Sequence, residues 1–364
     1  MSFDIAIIGA GMAGASLAAE LAGRASVVLL EGESQPGYHA TGRSAAFWSE
    51  SYGGPAVQPL TTASHAFLAE GGFIAPRGAL HIADDDGLGE LDAFQAAFEG
   101  SSVELNRLDA AALAVRVHGL KPRWRAAVEE PSCADIDVAG LHQAYLKAAK
   151  QAGADVYCGA RIERIERDGG RWRLGWADDR VEASLLVNAA GAWADEIAAM
   201  AGLAPIGIQP LRRTMIQLAT IPPAPPDMPL IVDARGRFYF KGEAGGKLWL
   251  SPHDETPEPP GDTAPVELDV ATAIDRFEKA VDWRVAALER KWAGQRSFVA
   301  DRLPVYGFDP ADAAFFWCAG QGGFGIQTAP AAARLCASLL LGDAAVAPDP
   351  AIDPAAYAPA RLRG

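Results

Sequence analysis

The chain has 364 residues, half of them apolar, and a formal net charge of −14. Such a length suggests two domains of roughly 100–200 residues each and a core able to enclose a large cofactor. The acidic excess argues against a nucleic-acid or anionic-membrane partner, since either needs a basic face.

In chain order, the apolar run Ile5-Ala6-Ile7-Ile8 predicts a strand. It leads into Gly9-Ala10-Gly11-Met12-Ala13-Gly14 and a helix, and a second apolar run, Val27-Val28-Leu29-Leu30, closes on Glu31. This is a dinucleotide-binding fingerprint in its proper context. Gly9 permits the tight turn, Gly11 lets a pyrophosphate approach the backbone, and Gly14 lets the helix pack close to the strand. The helix start favours phosphates, while the Glu31 carboxylate suits two ribose hydroxyls and repels a 2′-phosphate. The motif begins within ten residues of Met1, so no secretory leader is expected before it. The most apolar late stretch is broken by Arg334, short of the ~20 residues of a membrane span. A soluble, cytoplasmic protein is the expectation. Cys133, Cys158, Cys318 and Cys336 show no CxxC spacing, which reads as reduced thiols and neither a disulfide framework nor a zinc site.

Residues 77–130 mix short apolar runs with acidic turns and carry no long periodic segment. Asp137 is a plausible N-cap for a helix with Leu141, Tyr145 and Ala148 on one face, stopped by Gly153. Strands are predicted near 155–158, 161–166, 171–176 and 181–187, the last ending in Asn188-Ala189-Ala190-Gly191-Ala192-Trp193 before another helix. Residues 206–251 are strand-like, interrupted by Pro-rich loops at 221–229 and 256–265. A final strand, 314–319, enters a glycine cluster at 320, 322, 323 and 325, and a helix follows to about Leu341. Such a loop brings backbone N–H groups up to a planar ligand such as a flavin, with the positive end of the helix behind it. The Ala/Pro-rich tail after 344 is expected to be loosely packed. The pattern predicts an α/β (α+β composite) fold: a discontinuous Rossmann-like domain (1–76, 134–208 and 294–364) and an inserted domain on a largely antiparallel sheet (77–133 and 209–293).

The ordered series of blocks resembles the D-amino-acid oxidase/glycine oxidase family of FAD-dependent oxidoreductases, most closely its D-arginine dehydrogenase type. The blocks are the fingerprint through Glu31, residues 35–46 (Gln35 to Ala46), Ala134 to Asp137, Val187 to Trp193, Gln209 to Arg213, Trp292 to Phe298 and Gly322 to Gln327. The resemblance implies noncovalent FAD, with Gly9, Gly11 and Gly14 at the pyrophosphate and Glu31 at the ribose. Thr41, Arg43, Ser44, Ala45 and Ala46 would meet the flavin, and Ile162 the adenine. Gly191, Gly322, Gly325 and Ile326 complete the implied cofactor site. A covalent link at His39, as in dimethylglycine and sarcosine dehydrogenases, is the minor alternative.

The resemblance further implies oxidative deamination of D-amino acids. A hydride leaves Cα for flavin N5, and the imino acid is hydrolysed to a 2-oxo acid and ammonia. Arg213 and Arg296 would grip the α-carboxylate as guanidinium forks, with the hydroxyls of Tyr52 and Tyr239 beside the substrate and Gly323 and Gln327 on the flavin side. In the side-chain pocket Ala79 stands where the arginine-preferring relatives have Glu, and Phe47 where they have His. Leu230 and Val232 complete an apolar wall. A substrate cation there lacks its counter-ion, so hydrophobic side chains are expected over basic ones, unless Glu50 or Asp233 points inward. His65, His81, His118, His142 and His253 are expected to be surface or satisfied residues, and no metal-ligand set stands out. A secondary-amine oxidase of the sarcosine or glycine oxidase kind, an NAD-dependent dehydrogenase and a non-catalytic flavoprotein or interaction subunit stand as alternatives. The electron acceptor (oxygen, a quinone or another carrier), the oligomeric state and the preferred enantiomer are left open by the residues themselves.

Overall fold

The computed structural model describes residues 1–45, 47–342, 346–347 and 349–363. Among these, two large sheets dominate, and the fold is the expected α/β composite. The first sheet runs Arg164–Asp168, Arg171–Trp176, Asp179–Asn188, Ser2–Ile8, Val27–Leu30 and Asp155–Tyr157, and Asp312–Ala319 with Val305–Asp309 joins it beside Asp179–Asn188. Its centre is parallel: Ile8 lies level with both Asn188 and Leu30, and Asn188 level with Trp317. The first strand shows why both faces must be covered. Ile5 and Ile7 enter one apolar core with the helices Met12–Leu21 and Ala329–Leu341, whereas Ala6 and Ile8 enter another on the opposite side. Period-two alternation with both phases apolar marks a strand of a buried parallel sheet. Each fully buried Ile or Leu there contributes roughly 1.5–3 kcal/mol.

The second sheet orders Thr256–Pro257, Gln209–Ile221, Lys247–Ser251, Tyr239–Glu243, Leu230–Asp233, Ala79–Ala83, Ala126–Glu130 and Asn106–Asp109, with Arg284–Phe298 paired to Gln209–Ile221. Its pairs are antiparallel except Leu230–Asp233 beside Ala79–Ala83. Alternation again sorts the residues. Leu80, Ile82, Ile231, Phe240 and Ile216 pack with Val270, Ala273 and Phe277 of the helix Glu267–Ala280. Ala79, Leu230, Tyr239 and Met215 form a separate cluster on the other face, which looks toward the first sheet.

Several local expectations change. The helices Gln58–Glu70, Leu88–Ala97, Ala110–Arg116 and Glu267–Ala280 lie where no helix was anticipated. The strand expected at 161–166 is Arg164–Asp168. Asp137 does cap Val138–Gln151, accepting from the Gly140 amide at 2.9 Å, but the inner face carries Leu141, His142, Tyr145 and Ala149, with Ala148 outside. The described part of the tail is not loose. Ile352 and Tyr357 are buried in the first core, and the Tyr357 hydroxyl donates to the Ala56 carbonyl at 2.7 Å. An Ala/Pro-rich composition hid two well-placed apolar anchors. All four cysteines are free. Among the described residues, no helix is long and apolar enough to cross a membrane.

Candidate active site

The carboxyl ends of the parallel strands bring four loops to one edge: Gly9–Gly11 after Ile8, Glu31 after Leu30, Ala189–Trp193 after Asn188, and Gly320–Gln327 after Ala319. Ligands of open α/β sheets bind in this position. A cavity of about 390 Å³ opens there and continues to the cluster face of the second sheet, lined by every proposed site residue within the described chain except Gly14. Ala46 lies outside the described residues.

At one end, Gly9 adopts φ +100°, and a Cβ on it would sit 2.4 Å from the Ala189 carbonyl oxygen. Gly14 faces the strand and not the cavity: its missing Cβ would lie 1.9 Å from the Gly9 oxygen, so it sets helix-to-strand approach. Glu31 is oriented by two backbone donors, accepting from the amides of Ala10 and Glu33 at 2.9 Å each. The Thr41 hydroxyl accepts from the Met12 amide at 2.9 Å, tying the 41–45 loop to the helix start. His39 lines the cavity with Nε2 already engaged by Glu33 at 3.0 Å. Arg43 turns outward to Asp262, and its backbone carbonyl accepts from the Trp292 indole at 3.1 Å.

At the other end, Arg213 and Arg296 converge. The Arg213 Nε donates to the Asp254 carbonyl at 2.9 Å, and its Nη2 lies 3.4 Å from Glu255 Oε1. Arg296 donates to the Tyr52 hydroxyl at 2.8 Å and to the same Glu255 oxygen at 2.7 Å, and Arg302 reaches that oxygen at 2.8 Å. Three guanidinium cations thus meet the Glu255 carboxylate, and Arg213 also lies 3.8 Å from the Asp254 carboxylate. The Arg296 Nε is buried without a hydrogen-bond partner. Gly323 completes the geometry, since a Cβ there would fall 2.1 Å from the Tyr52 hydroxyl and 2.9 Å from Arg296 Nη1. Burial raises the Tyr52 and Tyr239 phenols above their ordinary range, so both are neutral hydroxyls. The Tyr239 hydroxyl donates to Met215 Sδ at 3.1 Å.

The side-chain wall consists of Phe47, Ala79, Leu230 and Val232, as expected, and no carboxylate enters it. Glu50 accepts from Thr62 at 2.7 Å and Ser132 at 3.2 Å, and Asp233 is chelated by Arg237 at 2.6 and 2.7 Å. Neither lines the cavity. Gln327 does line it, but its amide is spent on structure: Oε1 accepts from the Ser49 amide at 3.3 Å, and Nε2 donates to the Tyr52 carbonyl at 3.0 Å and the Thr61 hydroxyl at 2.9 Å.

Four residues beyond those anticipated shape the site. Glu130, fully buried, accepts from the Ser49 and Ser51 hydroxyls and the Glu50 and Ser51 amides, fixing the loop that carries Tyr52. Its burial raises the carboxyl pKa despite those donors. Glu255 bridges the arginines. His253 and His81, expected to be surface or satisfied, both line the cavity. Burial lowers each imidazole to about 4, so both are neutral at pH 7. His253 Nδ1 lies 2.7 Å from the Gly236 carbonyl, which makes that nitrogen the protonated one. His253 is thus satisfied as expected, and so is His142, which does not line the cavity and is held by the Ala10 carbonyl at 2.9 Å.

These features fit a bound dinucleotide: an extended cavity, an oriented acid at one end, glycines where any side chain would intrude, and a helix start beside them. Residues 4–339 match the family described as FAD dependent oxidoreductase (DAO). Glycine oxidase from Pseudomonas aeruginosa is 31% identical over 199 residues, covering 53% of this chain and 50% of that protein. FAD-dependent oxidoreductase domain-containing protein 1 from Xenopus laevis is 29% identical over 178 residues, covering 44% of this chain and only 35% of that protein, so the chain spans about a third to a half of these relatives. Among solved structures, glycine oxidase from Geobacillus kaustophilus aligns with TM-score 0.83 at 23% identity, covering 98% of both chains. L-proline dehydrogenase from P. horikoshii aligns with TM-score 0.85 at 21% identity, covering 99% of this chain and 97% of the other. With its fingerprint, its cavity and nearly its whole length accounted for, the chain belongs to the DAO family of FAD-dependent oxidoreductases, and its cofactor is FAD.

Proposed function

We propose that this protein oxidises the Cα–N bond of D-amino acids with uncharged, chiefly hydrophobic side chains, a variant of the D-arginine dehydrogenase type with altered side-chain specificity. The observation that carries the reading is the pairing of two convergent guanidinium groups, Arg213 and Arg296, with a side-chain wall free of carboxylates among the described residues. In this reading the discontinuous segments 1–76, 134–208 and 294–364 form the FAD-binding domain, and 77–133 and 209–293 the substrate domain. In this reading the cofactor is noncovalent, which the Glu33 carboxylate holding His39 Nε2 at 3.0 Å supports.

FAD, held by Gly9, Gly11 and Glu31 at its dinucleotide end and by the 322–326 loop at its flavin end, would supply a two-electron acceptor. The chain's task is placement. Arg213 and Arg296 hold the α-carboxylate by charge-assisted hydrogen bonds, which fixes the direction of Cα–H. Tyr52 and Tyr239 stay neutral; Tyr52, which accepts from Arg296, keeps its own proton to donate beside the carboxylate, and Tyr239, which donates to Met215, offers its oxygen as an acceptor, while Glu130 and Gln327 hold the Tyr52 loop so that this geometry is preformed. Once the substrate ammonium has lost a proton to solvent, its lone pair would form the C=N bond as the Cα–H electron pair leaves for the cofactor, and hydrolysis by water would yield the 2-oxo acid and ammonia. Arg302 and Glu255 set the charge of the clamp from behind.

A second reading, oxidation of glycine or an N-alkylglycine, is favoured by the likeness to the P. aeruginosa glycine oxidase. Against it stands the extension of the cavity past the clamp along Phe47, Ala79, Leu230 and Val232 to His81. Anaerobic mixing of the holoprotein with glycine, N-methylglycine and both enantiomers of leucine, methionine and arginine separates the two. Bleaching of the flavin by D-leucine or D-methionine ahead of glycine supports the proposal, and bleaching by glycine or N-methylglycine alone refutes it.

A further inference from the structure

His81 sits on the strand Ala79–Ala83 two residues beyond Ala79, so both side chains leave the same face of the sheet. In register it lies beside Val232, and Val232 beside Tyr239. A line of three neighbouring strands thus leads from the carboxylate clamp across the apolar wall to an imidazole. With strands ~4.8 Å apart, Tyr239 and His81 are about 10 Å apart at Cα. The ring is stacked on Phe94 at 4.3 Å, which fixes its plane. The residue lines the cavity, and neither ring nitrogen has a hydrogen-bond partner: Nε2 is closed off, which leaves Nδ1 as the nitrogen open to a ligand. Buried polar atoms in native proteins are nearly always satisfied, and one that is not calls for a ligand or a water. The neighbours at this end, Phe47, Ala79, Leu230 and Val232, carry no polar side-chain atom.

We propose that His81 is a specificity-determining residue whose imidazole hydrogen-bonds the tip of the substrate side chain through its open ring nitrogen, Nδ1, selecting long side chains that end in an uncharged polar group, with a carboxamide as the best match. The proposal rests on the site being one for amino-acid oxidation. A neutral imidazole offers one donor and one acceptor, and a carboxamide carries both, so it pairs with either tautomer. The stem crosses Leu230 and Val232 as any aliphatic chain would. A cation finds no counter-ion there, and an anion finds no resident positive charge.

The test uses the holoprotein, with rapid anaerobic flavin reduction by both enantiomers of glutamine, of its near-isostere methionine, and of glutamate and lysine. In the wild type, glutamine is expected to match or exceed methionine in efficiency, with glutamate and lysine far behind. His81→Leu should lower the glutamine-to-methionine ratio roughly tenfold or more, as loss of a hydrogen bond to a buried amide does, and His81→Asn should restore part of it. Reduction by methionine with a ratio unmoved in His81→Leu overturns the inference alone, as does a wild-type preference for glutamate or lysine. Should His81→Leu fail to retain flavin, the wild type decides: tenfold preference for methionine over glutamine overturns the inference. Absence of reduction by every amino acid overturns the inference and the reading beneath it together.

Discussion

Ala79→Glu offers the sharpest perturbation of the side-chain pocket, because the structure supplies a cost as well as a benefit. Ala79 is 1% exposed and lies directly opposite Glu130 on the adjoining antiparallel strand. Residues so paired share a face, with Cβ atoms ~5 Å apart. Glu130 is fully buried. A second carboxylate at that separation, at an effective dielectric constant of ~20, is repelled by about 3 kcal/mol. The substrate-free variant should therefore lose about that much stability in urea titrations, or carry its new carboxyl protonated. A cationic side chain entering the pocket relieves the repulsion, so the kcat/KM ratio of D-arginine to D-methionine should rise by up to ~100-fold. Phe47 borders the same space, and the double variant Phe47→His, Ala79→Glu should gain more than the single one. Steady-state assays with an artificial electron acceptor give the ratio. Lost stability with an unchanged ratio would refute the reasoning, because it would mean that substrate side chains do not pass Ala79.

Other perturbations probe the remaining parts of the site. Arg213→Ala and Arg296→Ala should each lower kcat/KM by roughly 10- to 100-fold, the worth of a charge-assisted contact, with the flavin absorbance retained; near-normal kinetics in both would remove the carboxylate clamp. Gly323→Ala should displace the Tyr52 hydroxyl, which a Cβ would meet at 2.1 Å, and raise KM at least tenfold through loss of the Tyr52–Arg296 bond; an unchanged KM would show that this contact is incidental. His81 and His253 have folded-state values depressed by burial to about 4, so their contribution is fully present above pH ~6.5 and is lost as pH falls from there toward 4, by roughly 3 kcal/mol each at most. Urea midpoints at pH 7, 5.5 and 4.5 should fall accordingly and fall less for His81→Asn; parallel curves would contradict the burial of that ring.

The cofactor end of the site was legible because it is local. Gly9, Gly11 and Glu31 act through turn geometry and one strand-to-strand step, and both leave a mark in a short window of sequence. The substrate end is assembled from distant segments. Glu255 meets Arg213, Arg296 and Arg302 only after the strands 209–221 and 284–298 pair, and Glu130 reaches the Tyr52 loop across some eighty residues of chain. Neither sits in a pattern that separates it from any other acid. His81 was within reach: once 79–83 is taken as a strand, alternation alone puts it on the side of Ala79. Short apolar runs broken by acidic residues hid that strand and the helices Leu88–Ala97 and Ala110–Arg116, whose stability comes from packing on the second sheet more than from their own periodicity. Buried Ile352 and Tyr357 likewise sit in a segment whose Ala and Pro content suggested a loose tail.

The central claim is that Arg213 and Arg296 present an amino acid to bound FAD. The most direct measurement is the anaerobic absorbance spectrum of the purified yellow holoprotein, mixed with D- and L-amino acids side by side and with the same panel on the Arg296→Ala variant. Rapid loss of the flavin band is expected with uncharged D-amino acids, little change with their L-enantiomers or D-arginine, and strongly weakened saturation in the variant. A flavin that stays oxidised with every amino acid, or a variant that saturates at wild-type concentrations, would contradict the claim.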